Sequence, residues 1–154
     1  LVEAVLASQD NFIVIYPNND LGAQHILDAY SVFNDNPRFK VFPSLRFEFF
    51  LSLLKHSDVI IGNSSAGIRE APYYGIPSIN IGTRQNNRAL NAEVINTQYD
   101  AQSILNAINE AIRGGRYAPQ NLFGAGKSDE HFLEVLTRNS FWDVPKQKLF
   151  KDLE

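Results

Sequence analysis

The alternation of strand and helix in this chain is clearest in residues 59–81, which read VIIGNSSAGIREAPYYGIPSINI. Residues 59–61 are a short, continuous apolar run, which is typical of a strand covered on both faces. The pattern then predicts a helix over residues 66–74 that stops at Gly75, followed by a second strand over residues 78–81. A strand, a helix and another strand in this order indicate a parallel βαβ unit.

The same alternation continues on both sides of this unit. Further strands are predicted over residues 12–16, 39–42 and 93–95, the first of them buried on both faces. Three more helices are predicted from apolar residues at helical spacing: one capped by Asp20 with Ala23, Ile26, Leu27 and Tyr30; one with Phe47, Phe50, Leu51 and Leu54 on one face; and one capped by Asp100, with Ala101, Ile104, Leu105, Ile108 and Ile112 inward and Gly114-Gly115 at its end.

We therefore predict an α/β fold with a doubly wound, parallel, Rossmann-like sheet. Ligands bind such sheets at the carboxyl ends of the strands, which directs attention to the loops at residues 17–22, 43–46, 62–67 and 82–91. Residues 1–154 are predicted to be one domain, with residues 128–154 a helical tail anchored by Phe132, Phe141, Trp142 and Phe150.

The composition argues against several classes of protein. The chain has 154 residues, 44% hydrophobic and 20% charged, which is typical of a soluble globular domain. No apolar run reaches the roughly eighteen residues that a membrane span needs, and no secretory signal is recognisable. The absence of cysteine excludes disulfides, thiolate metal sites and a cysteine nucleophile, and leaves the cytoplasm as the expected location. A net charge of −3 without a lysine or arginine cluster does not favour nucleic acid as a partner.

The start of the chain has an unusual sequence. The chain contains no methionine, and it opens on Leu1-Val2-Glu3-Ala4-Val5-Leu6, which is typical of the middle of a helix. We expect from these two features that the chain is a fragment of a longer protein. A processed or tagged terminus is the alternative.

The motif Gly62-Asn63-Ser64-Ser65-Ala66-Gly67 lies between a predicted strand and a predicted helix. Its small residues allow a ligand to approach the backbone, the first amides of a helix are unpaired donors, and the helix dipole favours an anion. The two serine hydroxyls add donors, so a diphosphate suits this loop. A serine N-cap in a tight strand–helix turn accounts for the same residues equally well.

Glu70 lies one turn into that helix, and capping does not account for it. A capping box would need serine or threonine three positions earlier, where Gly67 stands. A carboxylate beside a phosphate is repulsive unless it faces another group, and the diol of a ribose is a natural partner. The alternative is an ordinary first-turn glutamate that complements the helix dipole.

Two other loops carry polar candidates. Arg84 and Arg88 follow the strand over residues 78–81 and could bind phosphate or sugar oxygens, although a solvated loop is the commoner case. Asn18 and Asn19 follow the first strand and either contact a ligand or form an Asx turn.

Two features of the sequence suggest a phosphate-binding loop and a metal site, but neither fits the required pattern. Gly124-Ala125-Gly126-Lys127-Ser128 resembles the end of a Walker A loop, but Asn121 stands where that motif requires glycine. We interpret this run as a turn, with Ser128 capping a helix whose first turn holds Asp129 and Glu130. The histidines, His25, His56 and His131, show no metal-ligand spacing, so no metal site is expected.

Three motifs together closely resemble the hydrolysing UDP-N-acetylglucosamine 2-epimerases of sialic acid synthesis. The first runs through residues 62–72, GNSSAGIREAP, and 75–77, GIP, to residues 80–85, NIGTRQ. The others are residues 16–22, with Tyr-Pro-Asn-Asn-Asp-x-Gly, and residues 123–128, with Phe-Gly-x-Gly-x-Ser. The resemblance covers nearly the whole chain.

The resemblance implies the C-terminal half of a two-domain fold of the glycosyltransferase-B (GT-B) type, with the active site between the domains. It implies UDP and a UDP-N-acetylhexosamine as ligands, no cofactor, and a homo-oligomeric full-length protein. It also implies a UDP site in this chain that includes Gly62, Asn63 and Gly67. In this implied site, Ser64 and Ser65 bind the diphosphate and Glu70 binds the ribose. The backbone of Leu45-Arg46-Phe47 lies near uracil, and Asn18 and Arg84 line the sugar–phosphate region.

In that family, UDP leaves C1 as a proton leaves C2, and water then adds to the glycal to release N-acetylmannosamine. The family's acid/base carboxylates and catalytic histidine lie outside the part that this chain matches, so the resemblance implies no catalytic residue here and no activity for the isolated chain. Three alternatives stay open: a hydrolysing 2-epimerase for a UDP-diacetamido-trideoxy sugar of legionaminic acid synthesis; a GT-B glycosyltransferase donor domain, against which the Gly-Thr-Arg-Gln loop argues; and a noncatalytic nucleotide-sensing module.

Overall fold

The computed structural model describes residues 1–18, 21–88, 93–143 and 147. The chain divides into two compact units, Leu1–Leu122 and Phe123–Glu154. The first unit contains the strands β1 (Phe12–Ile15), β2 (Phe39–Phe42), β3 (Ile60–Gly62), β4 (Ser78–Ile81) and β5 (Val94–Thr97). The helices are α1 (Val2–Ala7), α2 (Ala23–Tyr30), α3 (Phe47–His56), α4 (Ala66–Arg69), α5 (Ala101–Gly114), α6 (Ser128–Thr137) and α7 (Asn139–Trp142), with short 3-10 helices at Ser31–Phe33 and Pro72–Tyr74.

The strands are parallel, and they form two hydrogen-bonded groups. β1 pairs with β2, and Phe12 lies opposite Phe39. β4 lies between β3 and β5, with Ile79 opposite Ile61 on one side and Ile95 on the other. The predicted α/β class with parallel strands is confirmed. The sequence predicted one continuous sheet, whereas within the described residues no ladder joins the two groups.

One hydrophobic core unites both sheets. Ile104 and Ile108 of α5 are fully buried in the same cluster as Ile79 of β4. The cluster extends to Phe33 and Phe39, whose rings stack with centroids 4.4 Å apart. Burial of such side chains stabilises the fold by about 1.5–3 kcal/mol each.

The β3–β5 sheet is covered on its other face as well. Ile60 packs there with Leu54 of α3, and with Ala71 and Ile76 from the segment between α4 and β4. All four residues of β4 are buried, as expected for a central strand between two layers of helices. This arrangement is the doubly wound one that the sequence predicted.

The helix predicted over residues 66–74 is interrupted. α4 ends at Arg69, and the 3-10 turn Pro72–Tyr74 follows it. Pro72 has no amide hydrogen, and its ring crowds the carbonyl four positions earlier, so an α-helix does not continue through it. Gly75 ends the segment as predicted, with a φ of 66°.

Some predictions of burial are wrong. β1 was expected to be buried on both faces, but Ile13 is 50% exposed, because Phe12 and Val14 face the core and alternate with it. Phe47 is 58% exposed at the start of α3, where only later turns of the helix reach the core. Ile112 is exposed because the inward stripe of α5 consists of Ile104, Ala107, Ile108 and Ala111.

Two caps were predicted within the described residues. The Asp100 carboxylate accepts a hydrogen bond from the Ser103 amide at 2.8 Å, which confirms it as the cap of α5. Ser128 is instead the first residue of α6, with Lys127 preceding it, so the predicted cap is off by one position. The predicted cap Asp20 and the predicted anchor Phe150 lie outside the described residues.

The second unit holds α6 and α7. Trp142 Nε1 donates to the Leu136 carbonyl at 2.8 Å, and the Trp142 ring meets Phe141 edge to face. Asp129 and Glu130 occupy the first turn of α6 as predicted.

Candidate functional site

The turn that follows β3, residues 62–66, is named the serine turn. Gly62 opens it with a φ of 143°, a conformation that L side chains rarely adopt, so glycine is required there. Asn63, Ser64 and Ser65 are exposed. The turn therefore presents a short stretch of backbone and two hydroxyls at the carboxyl end of β3, and ligands bind at the carboxyl ends of strands in sheets of this kind.

Ser64 accepts hydrogen bonds within the turn and keeps free donors. Its Oγ accepts a hydrogen bond from the Ala66 amide at 3.3 Å, and its carbonyl accepts one from the Gly67 amide at 3.3 Å. Because a hydroxyl has one hydrogen and two lone pairs, Ser64 Oγ can still donate to a ligand. Among the described residues, none accepts a hydrogen bond from the amides of Ser64 and Ser65. The residue at the N-cap of α4 is Ser65, and its side chain makes no capping hydrogen bond, so the serine N-cap that the sequence posed as an alternative to ligand binding is not formed by a side chain.

The helix behind the serine turn is shorter than the sequence suggested. α4 has four residues, so the dipole that it presents at its N-terminus is small. Two free amides and two hydroxyls remain as the local donors. An anion at this turn would be held mainly by these groups rather than by the field of a long helix.

Glu70 lies directly after α4 and is half-buried. Its carboxylate makes no hydrogen bond or ion pair with any part of the chain that the structure describes. Its side chain makes no capping hydrogen bond, in agreement with the sequence prediction, and the residue is the C-terminal cap of α4 through its backbone amide, which donates to the Ala66 carbonyl. The carboxylate oxygens are therefore available as acceptors for hydroxyl groups of a ligand.

Gly67 has a packing role. A Cβ built on it would lie 2.3 Å from the Ser78 Oγ of β4, so only glycine lets α4 approach the strand this closely. The residue is buried. The structure thus explains Gly67 by helix–sheet packing, whereas the sequence suggested direct approach of a ligand.

The loop that follows β4, residues 82–88, is named the β4 loop. Gln85 is 3% exposed, and its Nε2 donates to the Asn63 carbonyl at 2.7 Å. This bond ties the β4 loop to the serine turn. Arg84 is exposed on the same loop, and none of the described residues forms a hydrogen bond or ion pair with its guanidinium.

Asn80 holds the start of the β4 loop. It is 2% exposed, and its Nδ2 donates to the Gly82 carbonyl at 3.1 Å and to Asn96 Oδ1 of β5 at 2.8 Å. Asn86 Oδ1 lies 3.4 Å from the same nitrogen. Sequence reasoning gave Gln85 and Asn80 no role; the one available signal was a carboxamide at the end of an otherwise apolar strand.

The remaining predicted ligand residues are not joined to the serine turn. Asn18, which follows β1, is exposed and has no described side-chain partner, and its neighbour Asn19 lies outside the described residues. Phe47 stacks on Phe50 within α3, with centroids 6.4 Å apart. No described hydrogen bond or ring contact links Asn18 or Phe47 to residues 62–67.

The perturbed pKa values belong to other parts of the chain. Burial raises the pKa of Tyr30, and burial together with the charge of Glu93 raises the pKa of Tyr117 to about 12. The Asp100 pKa is lowered by the hydrogen bond from Ser103. The described residues contain no group of three potential metal ligands and no helix long and apolar enough to cross a membrane. The expected cytoplasmic location stays a prediction.

Comparison with known proteins gives consistent matches. A family model described as UDP-N-acetylglucosamine 2-epimerase matches residues 1–137. The chain is 46% identical over 154 residues to the UDP-N-acetylglucosamine 2-epimerase of Neisseria meningitidis serogroup B, covering 98% of this chain and 41% of that protein. It is 32% identical over 136 residues to the UDP-N,N'-diacetylbacillosamine 2-epimerase (hydrolyzing) of Legionella pneumophila, covering 88% of this chain and 36% of that protein.

The fold is also shared with a solved structure. The crystal structure of the Methanocaldococcus jannaschii UDP-GlcNAc 2-epimerase in complex with UDP-GlcNAc and UDP matches with a TM-score of 0.72 and 18% identity, over 88% of this chain and 38% of that one. This likeness confirms the predicted fold class, part of a GT-B-type fold. The chain spans about two fifths of the length of the curated relatives that it matches. With most of its residues matched by the family model, the chain belongs to the UDP-N-acetylglucosamine 2-epimerase family.

Proposed function

We propose that this chain is the UDP-binding C-terminal domain of a hydrolysing UDP-N-acetylglucosamine 2-epimerase, whose full-length protein eliminates UDP and releases N-acetylmannosamine for sialic acid synthesis. The observation that supports this most is the serine turn followed by Glu70. The turn carries free amide and hydroxyl donors, and Glu70, which directly follows α4, has a carboxylate that lacks a described partner. Donors suit the diphosphate and the carboxylate suits the ribose diol.

The proposed ligand contacts follow from this placement. Ser64 and Ser65 hold the diphosphate, with the backbone of Gly62 and Asn63 beside them, and Glu70 binds the ribose hydroxyls. Outside the turn, the segment around Phe47 lies near uracil, and Asn18 and Arg84 line the sugar–phosphate region. These outer assignments rest on the family resemblance.

The proposed role of the serine turn in the reaction is to stabilise the leaving group. Negative charge develops on the diphosphate oxygen as the bond to C1 of the sugar breaks. Preorganised N–H and O–H donors lower the barrier by stabilising that charge, and one such donor is commonly worth about 10²–10³ in kcat. We propose that the acid/base groups come from the part of the protein that this chain does not span, so the isolated chain binds UDP without catalysis.

A second candidate has a specific observation in its favour. The Legionella relative, which is 32% identical, is a hydrolyzing 2-epimerase named for UDP-N,N'-diacetylbacillosamine. A UDP-diacetamido-trideoxy sugar is therefore the alternative substrate. Assaying the protein of the complete gene for release of UDP, and identifying the free sugar, separates the two candidates. We further propose that the full-length protein is a homo-oligomer.

The binding role is tested on this chain by NMR titration. UDP is expected to shift the amide resonances of the serine turn and of Glu70. Glu70→Ala is expected to weaken UDP and uridine about tenfold while leaving pyrophosphate binding nearly unchanged, since only the first two carry a ribose. Glu110→Ala, an exposed glutamate on α5, is the matched control. Equal losses for UDP and pyrophosphate would contradict the ribose assignment, and an unshifted serine turn at millimolar UDP would contradict the site.

A further inference from the structure

We infer that Gln85 is a positioning residue that aims the Ser64 amide hydrogen at the diphosphate. This inference rests on the proposed function, because it assumes that the serine turn binds the diphosphate of UDP. Gln85 itself does not reach the turn's exposed surface, since its side chain is 3% exposed. It acts through the Asn63 carbonyl, to which its Nε2 donates at 2.7 Å.

The direction of the Gln85 amide is fixed by chemistry. The Asn63 carbonyl accepts hydrogen bonds and cannot donate them, so the nitrogen of the carboxamide must face it. The carboxamide oxygen is also buried, and no donor among the described residues faces it. The bond to Asn63 is therefore the side-chain hydrogen bond that orients Gln85.

Peptide geometry carries this orientation to Ser64. The peptide bond between Asn63 and Ser64 is trans, like the others in the described residues, so the carbonyl of Asn63 and the amide N–H of Ser64 point in opposite directions from one rigid plane. Holding the Asn63 oxygen toward the buried Gln85 turns the Ser64 N–H to the opposite side. Ser64 is exposed, and its amide has no acceptor among the described residues. A preorganised donor of this kind binds an anion without first having to reorganise.

The β4 loop, which carries Gln85, is itself held by hydrogen bonds. Asn80 bonds to the Gly82 carbonyl at 3.1 Å, and the Asn86 amide donates to the Thr83 carbonyl at 3.1 Å. These bonds bracket Gln85 on both sides. A neutral carboxamide also supplies the donor without placing negative charge beside the diphosphate, as a carboxylate would.

Removing the donor tests the inference. Gln85→Met keeps the length of the side chain and removes the bond to Asn63. The affinity for UDP is expected to fall about tenfold, the effect of one hydrogen bond, while the affinity for uridine, which lacks phosphate, changes little. Gln102→Met makes the same change at an exposed glutamine of α5 and should leave both affinities unchanged.

A second variant, Gln85→Glu, tests the pH dependence of UDP affinity, which would not change if Gln85 had only a structural role. In Gln85→Glu the carboxylate cannot donate at about pH 8, but the protonated acid can donate to Asn63 at about pH 5, because burial raises a carboxyl pKa. The UDP affinity relative to the native chain at the same pH should recover as the pH falls. Gln85→Met should show no such recovery. This variant also keeps the inference testable if Gln85→Met does not fold.

The direction of the Ser64 N–H bond is measured without ligand by residual dipolar couplings. The coupling of Ser64 should change in Gln85→Met and, at high pH, in Gln85→Glu, while couplings in α5 stay constant. If UDP fails to bind the native chain, the proposed function fails and these couplings still decide the positioning role. An unchanged Ser64 coupling in a folded variant, or equal losses for UDP and uridine, would overturn the inference.

Discussion

The β3–β5 sheet and the β1–β2 sheet are held in different ways. All four residues of β4 are buried, whereas in β1 partly buried residues alternate with exposed ones. Side-chain bonds fix the loops at the carboxyl ends of β3, β4 and β5, through Gln85, Asn80 and Asp100. Asn18, after β1, has no described side-chain bond. The candidate site therefore lies where the loops are braced by buried or capping side chains, as a preorganised site requires.

The largest expected effect is on stability, and it distinguishes a buried position in β4 from a half-exposed position in β1. Ile79→Ala in β4 should lower the free energy of unfolding by about 2–5 kcal/mol, because Ile79 is 1% exposed and its loss leaves a cavity. Ile13→Ala in β1 should cost less than about 1 kcal/mol, since Ile13 is 50% exposed. Urea denaturation measures both. Similar losses at the two positions would show that the face of β1 bearing Ile13 is covered in solution.

The close contact between α4 and β4 gives the next effect. Gly67→Ala should cost about 1–3 kcal/mol, since the added methyl would overlap Ser78 Oγ. Ser78→Ala removes that oxygen, so the double variant Gly67→Ala/Ser78→Ala should recover most of the loss relative to Ser78→Ala alone. Gly114→Ala is the control, because nothing lies within 4 Å of its added Cβ. A Gly67→Ala variant as stable as the native chain would mean that the serine turn does not depend on this contact.

The smallest effect concerns the loop after β5 and its dependence on pH. The hydrogen bond from Ser103 lowers the pKa of Asp100 below its ordinary value of 3.8. The charged form is thus favoured in the folded state, so the stability that Asp100 contributes is present above pH 3.8 and is lost as the pH falls through the lower folded pKa.

Asp100→Asn keeps a cap acceptor but does not titrate, so its urea midpoint should fall less than that of the native chain between about pH 5 and pH 2. Asp58→Asn, at an exposed position without a described hydrogen bond, should keep the native acid dependence. Identical pH profiles for Asp100→Asn and the native chain would show that the Asp100 charge does not brace this sheet.

The sequence was most informative about features that depend only on residues close together in the chain. Apolar runs identified five strands, Gly75 marked the end of a segment, and Asp100 was correctly identified as a cap. It was least informative about which faces are covered. Ile13 lies in a continuous apolar run and is half exposed, whereas Ile79 lies between Ser78 and Asn80 and is buried, because burial depends on helices distant in the chain. Pro72 was a local signal that should have shortened the predicted helix.

For the candidate site, the types and order of residues were enough to propose Ser64, Ser65 and Glu70, because small residues and hydroxyls after a strand suit an anion and a carboxylate without a capping bond suits a diol. The packing of Gly67 and the hydrogen bond of Gln85 could be seen only in the folded chain. Gly67 is explained by Ser78, eleven positions later, and Gln85 by Asn63, twenty-two positions earlier. Chemical groups are encoded residue by residue, whereas the direction in which they point depends on contacts between segments that only folding brings together.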